Sequence, residues 1–289
     1  MIPLAARNVS NLVVQSPEAT ALRAVALAEM CGAAKPEALG EARDPRAWRL
    51  RGVVRQEGVA AWCEAHRLDH AWVPEGRRFE SLKLLAMDMD STLITIECVD
   101  EIGGFINKKN EIAAITGQAM RGEIDFPESL RKRVALLAGL DENVLQDVYD
   151  EKLRLSPGAE QLVDRCKRHG VKLLLVSGGF TFFTERLKER LGLDETLSNV
   201  LEIDNGKLSG RVLGTIVDAD AKAAKFRQMA QRLGAAREQT VAIGDGANDL
   251  KMMAEAGTSI AYRAKPVVRL KATYALNYSG LDGVLNLFD

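Results

Sequence analysis

From Leu82 onward the chain alternates short, nearly continuous apolar runs with stretches of helical period. LKLLAM, VKLLLVSGG, QTVAIGDG and SIAY have strand length and almost no polar face, which reads as strands covered on both sides. Between and after them, AEQLVDRCKRHG, FTFFTERLKERLG, AAKFRQMAQRLG and NDLKMMAEAG repeat apolar residues three and four apart, the spacing of one helix face. NVLEID and KLSGRVLG, joined by Asn205-Gly206, read as a hairpin. A last helix and strand close the chain. Two segments depart from this alternation. From about Cys98 to Leu155, VDEIGGFIN, EIAAITGQAMRGE, FPESLRKRVALLAG and ENVLQDVYDEKLRL are helical without an intervening strand, which marks an insert. Ahead of Ser81, strands NLVVQ, WRLRGVV and HAWVP alternate with helices ALRAVALAEMCGA and VAAWCEAHRL, and the polar stretch from Pro74 to Arg78 reads as a linker. The expected fold is α/β: a small N-terminal α/β domain over residues 1–80, then a mostly parallel sheet over 81–289 interrupted by helices at about 98–155.

Composition narrows the possible chemistry. With 289 residues, 47% apolar and 27% charged, the chain can bury one large core and a smaller one. A formal net charge of -1 supplies no global field for nucleic acid or an anionic membrane. No apolar run reaches the roughly 18 residues of a membrane span, and the first residues do not resemble a signal peptide. The four cysteines, Cys31, Cys63, Cys98 and Cys166, form no CxxC pair, so free thiols in a reducing cytoplasm are expected rather than a zinc site or disulfides. None of the three histidines stands beside a plausible nucleophile. The chemistry is to be sought among carboxylates.

A parallel sheet carries its ligands at the carboxyl ends of its strands, and three strand ends hold suggestive residues. Asp88-Met89-Asp90-Ser91-Thr92 follows LKLLAM. Ser177-Gly178-Gly179 joins a strand to a helix, where unsatisfied N–H groups and the helix dipole favour an anion. Gly244-Asp245-Gly246-Ala247-Asn248-Asp249 follows TVAI, its aspartates being hard oxygen ligands suited to Mg²⁺. Each has a plainer reading as a turn or a cap, and the second Asp-x-Asp, at Asp218 and Asp220, reads as a helix cap. Asp249 replaces the third glycine of a dinucleotide fingerprint, and no Gly-Lys-Ser/Thr loop occurs. Co-occurrence at three strand ends favours phosphate chemistry.

DMDST, SGG, a lysine ahead of the last motif, and GDGAND resemble the haloacid dehalogenase superfamily of phosphatases, most closely the branch that hydrolyses phosphoserine, from about Leu82 to the C-terminus. The resemblance implies a Rossmann-like core with a small helical cap. It also implies hydrolysis of O-phospho-L-serine, the last step of serine biosynthesis, through an aspartyl-phosphate with Mg²⁺. By position, Asp88 is the nucleophile and Asp90 the general acid and base. Ser177, Gly178 and Lys222 bind phosphate, with Lys225 a competitor for the lysine's role. Asp88, the Asp90 carbonyl and Asp245 hold the metal, with Asn248 and Asp249 shaping the site. Glu97 takes the substrate ammonium, Arg133 its carboxylate, and Met120 and Phe126 give apolar cap contacts. Asp90 is expected to hold its proton because Asp88 is close. Phosphotransfer to another alcohol, hydrolysis of a different phosphometabolite, and serine sensing by the N-terminal domain are the alternatives. The expected partner is the small substrate alone, in a monomer or homodimer.

Overall fold

The computed structural model describes residues 9–40 and 44–289. Its main sheet has seven strands in the order Tyr274–Leu276, Thr258–Tyr262, Thr240–Gly244, Leu84–Met87, Lys172–Phe180, Glu195–Asp204 and Lys207–Leu213. Neighbours run parallel until the last pair, the hairpin. There Asn205 and Gly206 both take positive φ, 50° and 76°, as a two-residue turn matched to strand twist requires. Every residue of Leu84–Met87 is at most 1% exposed, because its side chains alternate between two cores. Leu84 and Ala86 pack with Phe226, Met229 and Met252, while Leu85 and Met87 pack with Leu162, Val163 and Phe183. Chain order reverses across this strand, so a crevice opens at its carboxyl end.

The insert rises from that end as helices Cys98–Gly104, Lys109–Met120, Phe126–Ala135 and Asn143–Asp147, the last continued by a wider turn over Val148–Lys152. Asp125 starts the third helix by accepting the Glu128 N–H at 2.7 Å, with Pro127 in the first turn. The two connections to the core pair with each other: Thr95 N donates to Arg154 O (2.9 Å) and Ser156 N to Leu93 O (2.9 Å). At its far side the insert rests on the hairpin, through Gly139 N to Leu208 O (2.8 Å) and Glu142 N to Gly206 O (2.9 Å).

A second sheet, in the order Glu37–Ala38, Ala47–Val54, Val9–Gln15, Asp69–Val73, is antiparallel throughout. Helices Ala21–Cys31 and Val59–Ala65 cover one face, over Leu12, Val14 and Leu50. The other face is not free. Val13, Ala71 and Val73 share a core with Phe79, Leu82 and Phe288 of the main domain. Polar groups at this junction are satisfied across it. The Asp69 carboxylate, 3% exposed, accepts the backbone N–H groups of Asn277 (2.6 Å), Tyr278 (3.1 Å) and Ser279 (2.8 Å). Gln15 Nε2 donates to Gly283 O (2.9 Å), and Arg49 donates to Phe288 O (2.6 Å) and to the Asp289 carboxylate. Asp69→Ala leaves the buried Ser279 N–H and the half-buried Asn277 and Tyr278 N–H groups without this acceptor, so it is expected to destabilise the protein by about 2–4 kcal/mol in urea unfolding while leaving KM unchanged; a raised KM would show that the junction also shapes the catalytic cavity.

Candidate active site

The strand Leu84–Met87 delivers Asp88 to the crevice. Asp88 N donates to Ile243 O (3.0 Å), which extends the sheet pairing by one residue and leaves Asp88 5% exposed at the strand tip. The chain then coils tightly through Met89–Leu93, closed by Leu93 N to Asp88 O (3.3 Å) and Ile94 N to Met89 O (3.0 Å). Ser91 takes φ 56°, uncommon for a residue with a Cβ, and its Oγ donates to Glu97 Oε1 at 2.7 Å. The buried Thr92 hydroxyl donates to Asp245 Oδ1 at 3.4 Å, tying the first strand end to the third.

Lys222 comes from the helix Ala219–Arg232, whose N-terminus Asp218 caps by accepting the Ala221 N–H at 2.9 Å. Its ammonium is fully buried and donates to Asp88 Oδ1 (2.7 Å) and Asp249 Oδ1 (2.8 Å). Burial alone would lower the Lys222 pKa, and the two aspartates more than reverse that, so the ammonium stays charged. Lys225 pairs with Glu195 at 2.6 Å on the surface, which removes it as a competitor. Asp249 Oδ2 accepts the Gly246 N–H (3.1 Å), so both Asp249 oxygens are engaged by protein donors. A Cβ at Gly244 would stand 2.5 Å from Asp249 Oδ2, so this aspartate can close over the strand end only above a glycine.

Asp88, Asp245 and Asp249 bring carboxylate oxygens within 4.8 Å of one another. Burial and the neighbouring Asp249 raise the Asp88 pKa well above its ordinary value, with Lys222 opposing, and push Asp245 up to about 7. Hard oxygen donors crowded at this cost fit a divalent cation such as Mg²⁺, which converts their repulsion into attraction.

On the other side of Asp88, Ser177 is fully buried and its Oγ accepts the Gly179 N–H at 2.8 Å. A Cβ at Gly179 would lie 3.0 Å from Asp90 Oδ2, and one at Gly178 would lie 2.8 Å from Phe126 Cζ of the insert. Two glycines therefore let Asp90, Ser177 and Phe126 converge. Asp90 Oδ1 accepts the Cys98 N–H (3.4 Å), and burial, then Glu97, pushes its pKa up to about 7. The sequence attributes the proton on Asp90 to Asp88; burial is the larger cause here, and Glu97 is the leading neighbouring charge.

A cavity of about 510 Å³ between sheet and insert gathers Asp88, Asp90, Glu97, Phe126, Arg133, Ser177, Gly178, Asp245 and Asn248 on its wall. Lys222 and Asp249 stand directly behind that wall. Arg131 and Lys132 face solvent, and Lys132 pairs with Glu128 at 2.7 Å, whereas Arg133 turns inward and is 9% exposed. Among the described residues Arg133 makes no ion pair, and its one hydrogen bond runs from Nε to Ser129 O (3.4 Å). Burial lowers its pKa, opposed by Asp100, Glu97 and Asp90. The Met120 side chain lies outside the described residues.

The haloacid dehalogenase-like hydrolase family matches residues 85–254, which contain all three strand-end motifs and the insert. The chain belongs to the haloacid dehalogenase-like hydrolases. A phosphoserine phosphatase of Polaromonas sp. is 54% identical over 215 residues, 73% of this chain and 91% of that relative. The crystal structure of an unliganded probable phosphoserine phosphatase from Vibrio cholerae matches with a TM-score of 0.80 and 37% identity, covering 100% of this chain and 88% of the other. A substrate-bound phosphoserine phosphatase complex matches with a TM-score of 0.68 and 36% identity, over 72% of this chain and 99% of that one.

One wall residue of this haloacid dehalogenase-like hydrolase escaped the motif reading. Lys265 follows the strand Thr258–Tyr262, lines the catalytic cavity and donates its N–H to Asp245 O at 3.1 Å. It stands at a fourth strand end, so the rule that led to the other three applied to it as well. Asp220, read only as part of a cap, also reaches the cavity and pairs with Lys251 at 2.7 Å.

Proposed function

We propose that this hydrolase releases phosphate from O-phospho-L-serine, with Asp88 as nucleophile, Asp90 as general acid and base, and Mg²⁺ as the cation. The observation that carries the reading is that an inward-facing Arg133 without an ion pair and the carboxylate of Glu97 both line the cavity that holds Asp88. A zwitterionic amino acid presents one carboxylate and one ammonium, and a guanidinium takes a carboxylate in bidentate fashion. The names of the relatives agree: the 54% identical protein is a phosphoserine phosphatase.

Phosphate monoester hydrolysis demands a barrier reduction on the order of 20 kcal/mol or more. Asp88 supplies a covalent route: its carboxylate takes the phosphoryl group, serine departs, and water then cleaves the acyl phosphate. Mg²⁺, held by Asp88, Asp245 and the Asp90 carbonyl, would cancel the repulsion between carboxylate and phosphate dianion. Asp249, with both oxygens engaged, positions Lys222 rather than binding the cation. Lys222 cancels further charge at the nucleophile. The Ser177 hydroxyl, whose oxygen accepts the Gly179 N–H, keeps its proton for a phosphate oxygen, beside the Gly178 N–H. Asp90, with a pKa of about 7, carries a proton to give the serine oxygen and, once ionised, receives one from the attacking water. Phe126 over Gly178 closes the cavity against bulk water, and Asn248 supports its far rim.

Arg133→Ala is expected to lower kcat/KM for phosphoserine by about 30- to 1000-fold, the worth of a desolvated ion pair, chiefly through KM. The same change should barely affect an aryl phosphate, which has no carboxylate to bind. Equal losses on both substrates would remove Arg133 from recognition. The direct test of the function is phosphate release from L-phosphoserine with and without Mg²⁺, against a panel of other phosphate esters; faster turnover of any other ester would overturn the assignment.

In this reading the described part of residues 1–80 acts first as a packing partner of the catalytic unit 81–289, whose cap spans about 98–155. The four cysteines are free and buried, as suits a cytoplasmic enzyme. Among the described residues no helix is long and apolar enough to cross a membrane.

A further inference from the structure

A second cavity, of about 520 Å³, opens at the junction of the two sheets and shares no wall residue with the catalytic one. Its chemistry is cationic. Arg67 and Glu18 enter from the N-terminal unit, and Arg263, Arg269 and Tyr278 from the main domain. Each guanidinium is positioned by a neutral group: Arg67 lies 5.4 Å from the Tyr278 ring centroid and Arg263 5.3 Å from that of Tyr262, while Arg269 Nε donates to Ala264 O at 2.9 Å. None of the three arginines forms an ion pair among the described residues. Glu18 is the one carboxylate in the wall, and it stands 3.3 Å from Arg23.

Two of these arginines occupy left-handed backbone, Arg67 at φ 56° and Arg263 at φ 46°. Arg67 ends the helix Val59–Ala65, where Leu68 N donates back to Cys63 O at 2.8 Å. Helices normally place glycine or asparagine at such a position, because a Cβ is unfavourable there. An arginine costs stability at both places, and burial does not repay it, since both residues are exposed and touch only a ring face. An outlier of that kind supports a hypothesis of function. Three unpaired guanidiniums converging on one concavity match an anion with several oxygens, because each planar fork can take two of them.

We propose that the junction cavity binds a small polyanion bearing phosphate or carboxylate groups and thereby bridges the N-terminal unit to the catalytic domain. The site is independent of the substrate assignment. Only Ala264 separates Arg263 from Lys265 of the catalytic wall, so one short segment serves both cavities.

The test is isothermal titration of the full chain, free of metal, with citrate and with pyrophosphate. The catalytic cavity sets Asp88, Asp90, Glu97 and Asp245 against Arg133 and Lys265, and neither Arg67 nor Arg263 lines it, so a loss of affinity in variants of those two arginines assigns the binding to the junction. One-to-one binding is expected, weakened about tenfold or more in Arg67→Gly and in Arg263→Gly. Glycine accepts positive φ without strain, so both variants should fold, keep phosphoserine turnover with Mg²⁺, and melt no lower than the parent. Binding of citrate alone assigns a polycarboxylate, and binding of pyrophosphate alone assigns a phosphate compound. Absence of heat with both anions, or unchanged affinity in the two variants, would overturn the proposal.

Discussion

Asp88→Asn is expected to reduce kcat on phosphoserine by on the order of 10⁴-fold or more, with little change in the melting temperature of the metal-free protein. Asparagine keeps the shape and the backbone pairing to Ile243, but its amide cannot form an acyl phosphate. The buried ammonium of Lys222 is not orphaned, because Asp249 Oδ1 still accepts from it at 2.8 Å. Removing one of three crowded carboxylates also relieves the repulsion that raises the Asp88 pKa, which offsets the lost ion pair. Two measurements separate a nucleophile from a mere cation ligand. Raising Mg²⁺ should not restore turnover in the variant, and acid-quenched parent enzyme should carry phosphate on the peptide containing Asp88. Recovery of activity at high Mg²⁺ would leave Asp88 a ligand only and move the covalent step elsewhere.

The difference between what the sequence discloses and what it hides follows from range. Asp88, Ser177 and Asp245 are legible because each lies at the carboxyl end of an apolar run that forms a strand, and local order carries a strand end to its place in the sheet. Lys222 and Lys225 are three residues apart on one helix, and only the burial of the first and the Glu195 pairing of the second separate them. Arg131, Lys132 and Arg133 are consecutive on one helix, whose turn distributes them around the axis and sends only the last inward. The proton on Asp90 owes most to burial, which only the fold reveals, and then to Glu97, seven residues onward. Least legible is the strand Val9–Gln15. Its buried Asn11 and Gln15 resemble the polar face of a half-exposed strand, and nothing local tells that this face is docked on another domain. Asp69 is opaque for the same reason, since the donors it caps lie more than 200 residues further along the chain.

Lys222→Met should cost the metal-free protein about 3–5 kcal/mol near neutral pH, because it leaves buried carboxylates without their counter-charge, and should abolish turnover. Methionine keeps most of the apolar stem, so the loss is electrostatic rather than a cavity. The sign of the pH dependence follows. In the variant the folded-state pKa of Asp88 lies above that of the unfolded chain, because burial and repulsion from Asp249 already raise it when the lysine is present. The folded protein then takes up protons more readily than the unfolded one, so the penalty grows as pH rises through the folded pKa values and fades as pH falls toward the unfolded ones. The gap in melting temperature between parent and variant should therefore be wide at about pH 8 and narrow at about pH 5. Mg²⁺ should raise the melting temperature of the variant more than that of the parent, since a bound cation replaces part of the missing charge. A gap that ignored both pH and Mg²⁺ would mean that the lysine acts through its packing, and the charge balance around Asp88 would have to come from other groups.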